Sequence, residues 1–176
     1  SRVSALTREG GRWSVTTAHG PAVSAAQVLL ATNGYTDGLW PQLRQTVIAA
    51  NSFQVATERL PAALSSTVLP QGQVASDTRK LLLYYRANHD GRLIMGGRGT
   101  FREPTGPGEF GHLESVIALV FPQLKGVRCE YHWSGRVALT RDHLPHVHRP
   151  APGLTLLLGY NGRGVALATT LGTLVG

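Results

Sequence analysis

Between Leu154 and Thr170 an apolar stretch of strand length runs into three closely spaced glycines, Gly159, Gly162 and Gly164. Ala, Leu, Val and Thr residues of helical character follow. A strand that turns through glycines into a helix leaves backbone N–H groups without partners at the helix start. Those donors, with the positive end of the helix dipole, suit an anionic or carbonyl-bearing ligand. Glycine lets such a ligand approach the backbone closely, because no Cβ intervenes. The same pattern also serves plain strand-to-helix connections, so both readings stand at this point. The spacing G-x-x-G-x-G differs from the dinucleotide fingerprint G-x-G-x-x-G, and the chain does not continue far enough beyond it to supply an acidic ribose ligand. The turn therefore suits the polarised edge of a ring system better than a nucleotide phosphate.

Other constellations carry less. Asp142, His143, His146 and His148 invite a metal assignment, and in an extended strand His146 and His148 would point the same way. Pro145 and Pro150 argue instead for an exposed loop, with one or two histidines lining a cleft and no metal. Ser134, in Trp133-Ser134-Gly135, lacks the G-x-S-x-G of a nucleophile elbow. The single cysteine, Cys129, excludes an intramolecular disulfide framework and a multi-thiolate zinc site. It fits a reducing, cytoplasmic setting. A net charge of +7 raises the question of nucleic acid, yet nearly all the cations are scattered arginines, and the only adjacent pair with a lysine is Arg79-Lys80. Phosphate binding needs a basic cluster, so no nucleic-acid partner is expected. The longest apolar runs fall far short of the ~20 residues of a membrane helix, so no membrane span is expected either.

These residues need elements to position them. Residues 2–18 alternate weakly around Gly10-Gly11 and read as a hairpin, with Trp13 and Val15 on its second arm. Residues 27–32 form a nearly continuous apolar strand, the kind covered on both faces in a parallel α/β sheet. Asn33-Gly34-Tyr35-Thr36 closes it. From Gln45 to about Thr100 the texture is that of a mostly antiparallel sheet: strands at 47–49, 52–57, 81–86 and 92–97, separated by turns, with Asn88 to Gly91 the clearest hairpin loop. Tyr84 and Tyr85 alternate across their strand, so only one of them can face a cleft. Leu113, Val116, Ile117 and Val120 repeat at helical spacing until Pro122 stops the helix. Residues 131–140 form another strand, and a Pro-rich stretch then leads to the apolar run and glycine turn.

The expected architecture is α+β with an α/β part. A remnant of a Rossmann-type domain (residues 1–44 and 143–176) is interrupted by a mostly antiparallel β domain (45–142) with at least one helix. Ligand space between two such domains is where cofactor and substrate usually meet.

Five segments in series carry a family likeness. They are Val28-Leu29-Leu30-Ala31-Thr32-Asn33-Gly34-Tyr35-Thr36, Ser76-Asp77-Thr78-Arg79, Met95-Gly96-Gly97-Arg98-Gly99, Trp133-Ser134-Gly135 with Thr140-Arg141-Asp142-His143-Leu144-Pro145-His146, and Gly159-Tyr160-Asn161-Gly162-Arg163-Gly164-Val165. Together they resemble the FAD-dependent amine and amino-acid oxidoreductases of the D-amino-acid oxidase superfamily, and within it the gamma-glutamylputrescine oxidoreductase-like branch. The resemblance implies the C-terminal part of a larger flavoprotein. The βαβ unit whose glycine loop holds the FAD pyrophosphate would then lie outside this chain, and the chain alone would not hold FAD tightly or be active.

It further implies that Ala31, Thr32 and Asn33 pass close to the dinucleotide portion of FAD. Tyr160, Asn161, Gly162, Arg163, Gly164 and Val165 would border the pyrimidine edge of the isoalloxazine, and Gly135 and Gly159 would also bind the cofactor. Arg163 would either add a cation there or pair on the outer face. Tyr84, Arg86, Arg98, Trp133 and His146 are the implied substrate residues. The implied reaction is hydride transfer from an amine or amino acid to FAD, giving an imine that hydrolyses, with no dedicated catalytic base. A dehydrogenase that passes electrons to an acceptor other than oxygen, and a non-catalytic binding module on the same scaffold, remain the alternatives.

Overall fold

In a computed structural model, which describes residues 2–176, the chain divides into two compact units. Residues 1–49 with 136–176 form the first, and residues 50–135 the second. The sequence placed these crossings at 44/45 and 142/143. Both fall inside strands instead, within β5 (Ile48–Thr57) and β9 (Cys129–Leu139).

The first unit opens with a hairpin of β1 (Val3–Glu9) and β2 (Arg12–Thr17), joined by Gly10 and Gly11. Both glycines have positive φ, 55° and 81°, the condition for a two-residue turn whose twist matches the strands. β3 (Val23–Ala25) adds a third antiparallel strand to β2. A second sheet has the order β10 (His146–Ala151), β11 (Leu154–Leu158), β4 (Val28–Leu30). β11 runs antiparallel to β10 and parallel to β4. Leu154, Leu156 and Leu158 pack with Trp13 and Leu43 in this unit's core, and the Trp13 indole donates to the Pro152 carbonyl at 3.1 Å. α3 (Gly164–Val175) ends the chain, with no side chain fully buried.

A five-stranded sheet, β6-β7-β8-β5-β9, organises the second unit, with β6 (Val74–Ser76), β7 (Tyr84–Ala87) and β8 (Leu93–Arg98). Its β6/β7, β7/β8 and β8/β5 pairs are antiparallel. One face is packed by α2 (Gly111–Val120), whose Leu113 and Ile117 meet Phe53, Val55, Leu93 and Met95. Phe110 stacks on Phe53 at 4.4 Å between centroids. A single helical turn, α1 (Ala62–Ser65), joins the strands on this side.

Several sequence expectations need correction. Within these residues β4 is an edge strand of three residues with Leu29 half exposed, shorter than the expected 27–32 run and open on one face. The strands expected at 47–49 and 52–57 are one, beginning at Ile48, because Asn51 continues the pairing: its N–H donates to Thr100 O (3.0 Å) and its carbonyl accepts from Gly99 N (2.8 Å). The strand expected from 81 begins at Tyr84: residues 80–81 form a turn, and the Leu83 N–H donates to the Asp77 side chain (Oδ1, 2.9 Å) instead of a strand carbonyl.

The Pro-rich stretch is a strand, β10, despite Pro150. An edge position tolerates a missing N–H, and the register shifts between His148 and Ala151, around the proline. Finally, Gly106, Gly108 and Gly111 carry the letters G-x-G-x-x-G, which sequence reasoning overlooked. They lie in the loop and 3₁₀ turn (Pro107–Phe110) leading into α2, with no strand immediately before them, so the context of a dinucleotide loop is lacking.

Candidate functional site

In the first unit, β11 delivers the chain to Gly159 (φ 82°), and Asn161 (54°) and Gly162 (86°) follow in the left-handed region before α3 begins. A Cβ on Gly159 would strike the Thr140 methyl, whereas Gly162 faces open space. Asn161 fixes the turn. Its N–H donates to Ala138 O at 3.0 Å, its Oδ1 accepts from Thr140 N at 2.8 Å, and its Nδ2 donates to Thr140 Oγ1 and to Gly159 O. Thr140 Oγ1 in turn donates to Leu144 O at 2.9 Å.

The α3 ladder starts with Leu167 N–H donating to Arg163 O (3.0 Å). The N–H groups of Gly164, Val165 and Ala166 therefore precede any intrahelical acceptor and point out of the helix start. Tyr160 is buried, which pushes its phenol pKa up, while Val165 is almost fully exposed. The Arg163 guanidinium donates to the His143 carbonyl.

Asn33 performs the matching task at the end of β4. It too has positive φ (45°), and its Oδ1 accepts from Gly159 N at 3.0 Å, tying the two parallel strand ends together. Thr32 and Thr36 share a hydroxyl bond of 2.8 Å. Behind them a Cβ on Gly34 would come within 2.6 Å of Arg136 O, so glycine permits this backbone approach. The side chains of Asn33 and Asn161 are thus occupied in holding the turn. What the turn offers a ligand is backbone.

Beside it, His146 Nε2 lies 3.1 Å from Asp142 Oδ1 and the His146 ring stacks on His148 at 5.4 Å. The His146 bond and the Leu144 N–H hold the Asp142 carboxyl down at about 2. Among the described residues no three His, Cys, Asp or Glu side chains gather as a metal site. Burial pushes the Cys129 thiol up to about 11, which keeps it unreactive.

In the second unit, alternation sorts the sheet residues, with one interruption in β9, where Cys129 and His132 both reach the α2 side. Phe53, Val55, Leu93, Met95 and Tyr85 face α2, with Tyr85 edge-on to Phe121 at 5.5 Å. His132 faces the same side, against Phe110 and 2.6 Å from Glu114 of α2. The opposite face therefore carries Tyr84, Arg86, Arg98, Trp133 and Gly135, with Ser52 and Gln54 between them. Tyr84 and Ser52 join their hydroxyls, and the Tyr84 ring lies against Gly96, where a Cβ would collide with it. Four of the five expected substrate residues thus share one sheet face. The fifth, His146, belongs to the first unit, as do all the expected cofactor residues except Gly135. Sequence reasoning missed Thr140 and Ser52. Both are hydroxyl residues whose partners lie more than 20 positions away, a relation that no local pattern signals.

The whole chain, residues 1–176, matches the family model described as FAD dependent oxidoreductase (DAO). It is 32% identical over 169 residues to "Probable oxidoreductase OrdL" of Rhizobium meliloti, covering 96% of this chain and 39% of that protein. It is 34% identical over 155 residues to "Gamma-glutamylputrescine oxidoreductase" of Escherichia coli, covering 87% of this chain and 36% of that protein. Among solved structures, glycine oxidase from Geobacillus kaustophilus superposes with a TM-score of 0.76 at 22% identity, over 99% of this chain and 46% of that one. The chain thus spans less than half the length of each of these relatives.

Proposed function

The chain belongs to the FAD-dependent oxidoreductase (DAO) family, and on that premise we propose that it forms part of a flavoenzyme oxidising an amine or amino acid to an imine, which water then hydrolyses. The observation that carries this reading is the strand–glycine turn–helix at 154–175, whose only ligand-facing chemistry is a set of backbone donors at a helix start. These residues fit the cofactor. Gly162 leaves open space, Asn161 and Thr140 hold the loop rigid, and the N–H groups of Gly164, Val165 and Ala166 suit a carbonyl edge that gains negative charge.

Bound FAD supplies the hydride acceptor for the carbon that bears the substrate amine. The chain's own residues orient the reactants. On the open sheet face, Arg86 and Arg98 offer forked donors to a carboxylate, and the Tyr84 and Trp133 rings offer faces to an amine cation. We assign no group in this chain as the base. The lone cysteine favours a cytoplasmic setting.

The test is a visible absorption spectrum of the full-length protein carrying this chain, before and after anaerobic addition of amines and amino acids. The expected result is a set of oxidised-flavin bands that bleach with at least one of them. A protein that takes up no flavin after reconstitution with FAD would overturn the reading.

A further inference from the structure

The open face of the second unit's sheet holds one hydroxyl pair whose bond the preceding reading leaves without a role, that of Ser52 and Tyr84. Ser52 stands directly opposite Arg98 in the β5/β8 register, and Tyr84 stands opposite Gly96 in β7/β8. The hydroxyls of Ser52 and Tyr84 are nevertheless bonded, so the Tyr84 ring crosses β8 to reach a residue two strands away. Gly96 makes the crossing feasible. The ring occupies the volume a Cβ there would fill, its Cζ only 2.6 Å from the Cβ position. Gly96 lacks a positive φ, so it is the ring, and not the backbone, that demands glycine at this position.

The result is a phenol laid flat along the sheet, with its hydroxyl delivered to the register position of Arg98. Two hydroxyls that bond each other retain one O–H between them for a further acceptor. That remaining donor sits beside the strand position from which the Arg98 side chain rises.

We propose that Ser52 is a positioning residue for Tyr84: it fixes the phenol across Gly96 so that its hydroxyl and Arg98 present donors together to the substrate's carboxylate or other oxyanion. This rests on the reading of that face as substrate-facing. Ser52 acts through Tyr84, so its removal matters only while the Tyr84 hydroxyl is present.

The experiment is a double-mutant cycle in the full-length flavoprotein, using an amine or amino acid that the wild type oxidises. It reads kcat, KM, flavin content and thermal midpoint. Ser52→Ala should raise KM about three- to tenfold with kcat and flavin content nearly unchanged, the effect of one lost hydrogen bond. Tyr84→Phe should do the same, and the double variant should be no worse than either single one. Ser52→Thr, which keeps the hydroxyl on a residue that strands accept, should restore the wild-type KM. Gly96→Ala, which displaces the ring, should reproduce Ser52→Ala.

Independent, additive losses in the double variant would overturn the proposal, as would a wild-type KM in Ser52→Ala. A wild type that retains flavin and turns over, beside an unaffected Ser52→Ala, sinks the role of Ser52 alone. A wild type that no amine or amino acid reduces sinks the functional reading, and this proposal with it.

Discussion

Asp142 illustrates how a single exposed residue records its surroundings. His146 Nε2 and the Leu144 N–H both reach its Oδ1, each at 3.1 Å, and the carboxyl is held at about 2 against an ordinary value of 3.8. A carboxylate whose pKa is lower in the folded state adds stability above its unfolded pKa and loses it as pH falls through the folded one. The window is therefore from just above 3.8 down to about 2. Across that interval urea midpoints of the wild type should fall more steeply than those of Asp142→Asn, which keeps an acceptor for Leu144 but no charge. Parallel slopes would detach the low pKa from folding. The sequence offered the four residues of this cluster as metal ligands or loop. Only the pairing of β10 with β11 decides that His146 leans on Asp142 and His148 instead, and that pairing is a contact between segments.

At the scale of elements, the junction of β11 and α3 depends on one carboxamide. Asn161 bonds Thr140 through both ends of its side chain and closes on Gly159, so the end of β9 and the turn are joined through one residue. Asn161→Gly tolerates the positive φ yet removes all of these bonds, and it should cost about 1–3 kcal/mol in denaturant unfolding. A loss of only a few tenths would make the backbone conformation, and not the network, the fastener.

What was legible here was periodic. The Gly10-Gly11 hairpin, the helix with Leu113 and Ile117, the apolar β11 and the Gly159–Gly164 turn could all be read because pattern and local geometry agree. The unity of β5 could not be read. Asn51 is a poor strand former in isolation, and its place in the strand comes from Gly99 and Thr100, some 50 positions away. Likewise β10 survives Pro150 only because it lies at a sheet edge, and edge status is a property of the assembled sheet.

At the scale of the molecule, two units each have their own apolar cluster, one around Trp13 and Leu156, the other around Phe53 and Leu113. The family match extends over the full 176 residues, while the OrdL relative is more than twice as long. On the proposed reading the turn at 159–164 would offer donors to one edge of a flavin, and among the described residues no dinucleotide loop in its proper strand–helix context accompanies it. Fluorescence titration of the 176-residue chain alone with FAD should accordingly show no tight saturable binding, in contrast to the full-length protein. Tight binding by this chain alone would relocate the anchoring of the whole cofactor into these residues.

Both asparagines that fasten the turn, Asn33 and Asn161, are followed directly by glycine. In an open chain that dipeptide is where a carboxamide is most readily lost, because the next backbone nitrogen can attack it unhindered. Folding immobilises both groups: Asn33 Oδ1 is held by Gly159 N–H and the Asn161 amide by Thr140 and Gly159. Were the amide of Asn161 to become an acid, a new anion would face the Gly159 carbonyl that it now serves as donor. Loss of either carboxamide would thus follow how often this turn opens, and each opening would risk a change that hinders its closing again.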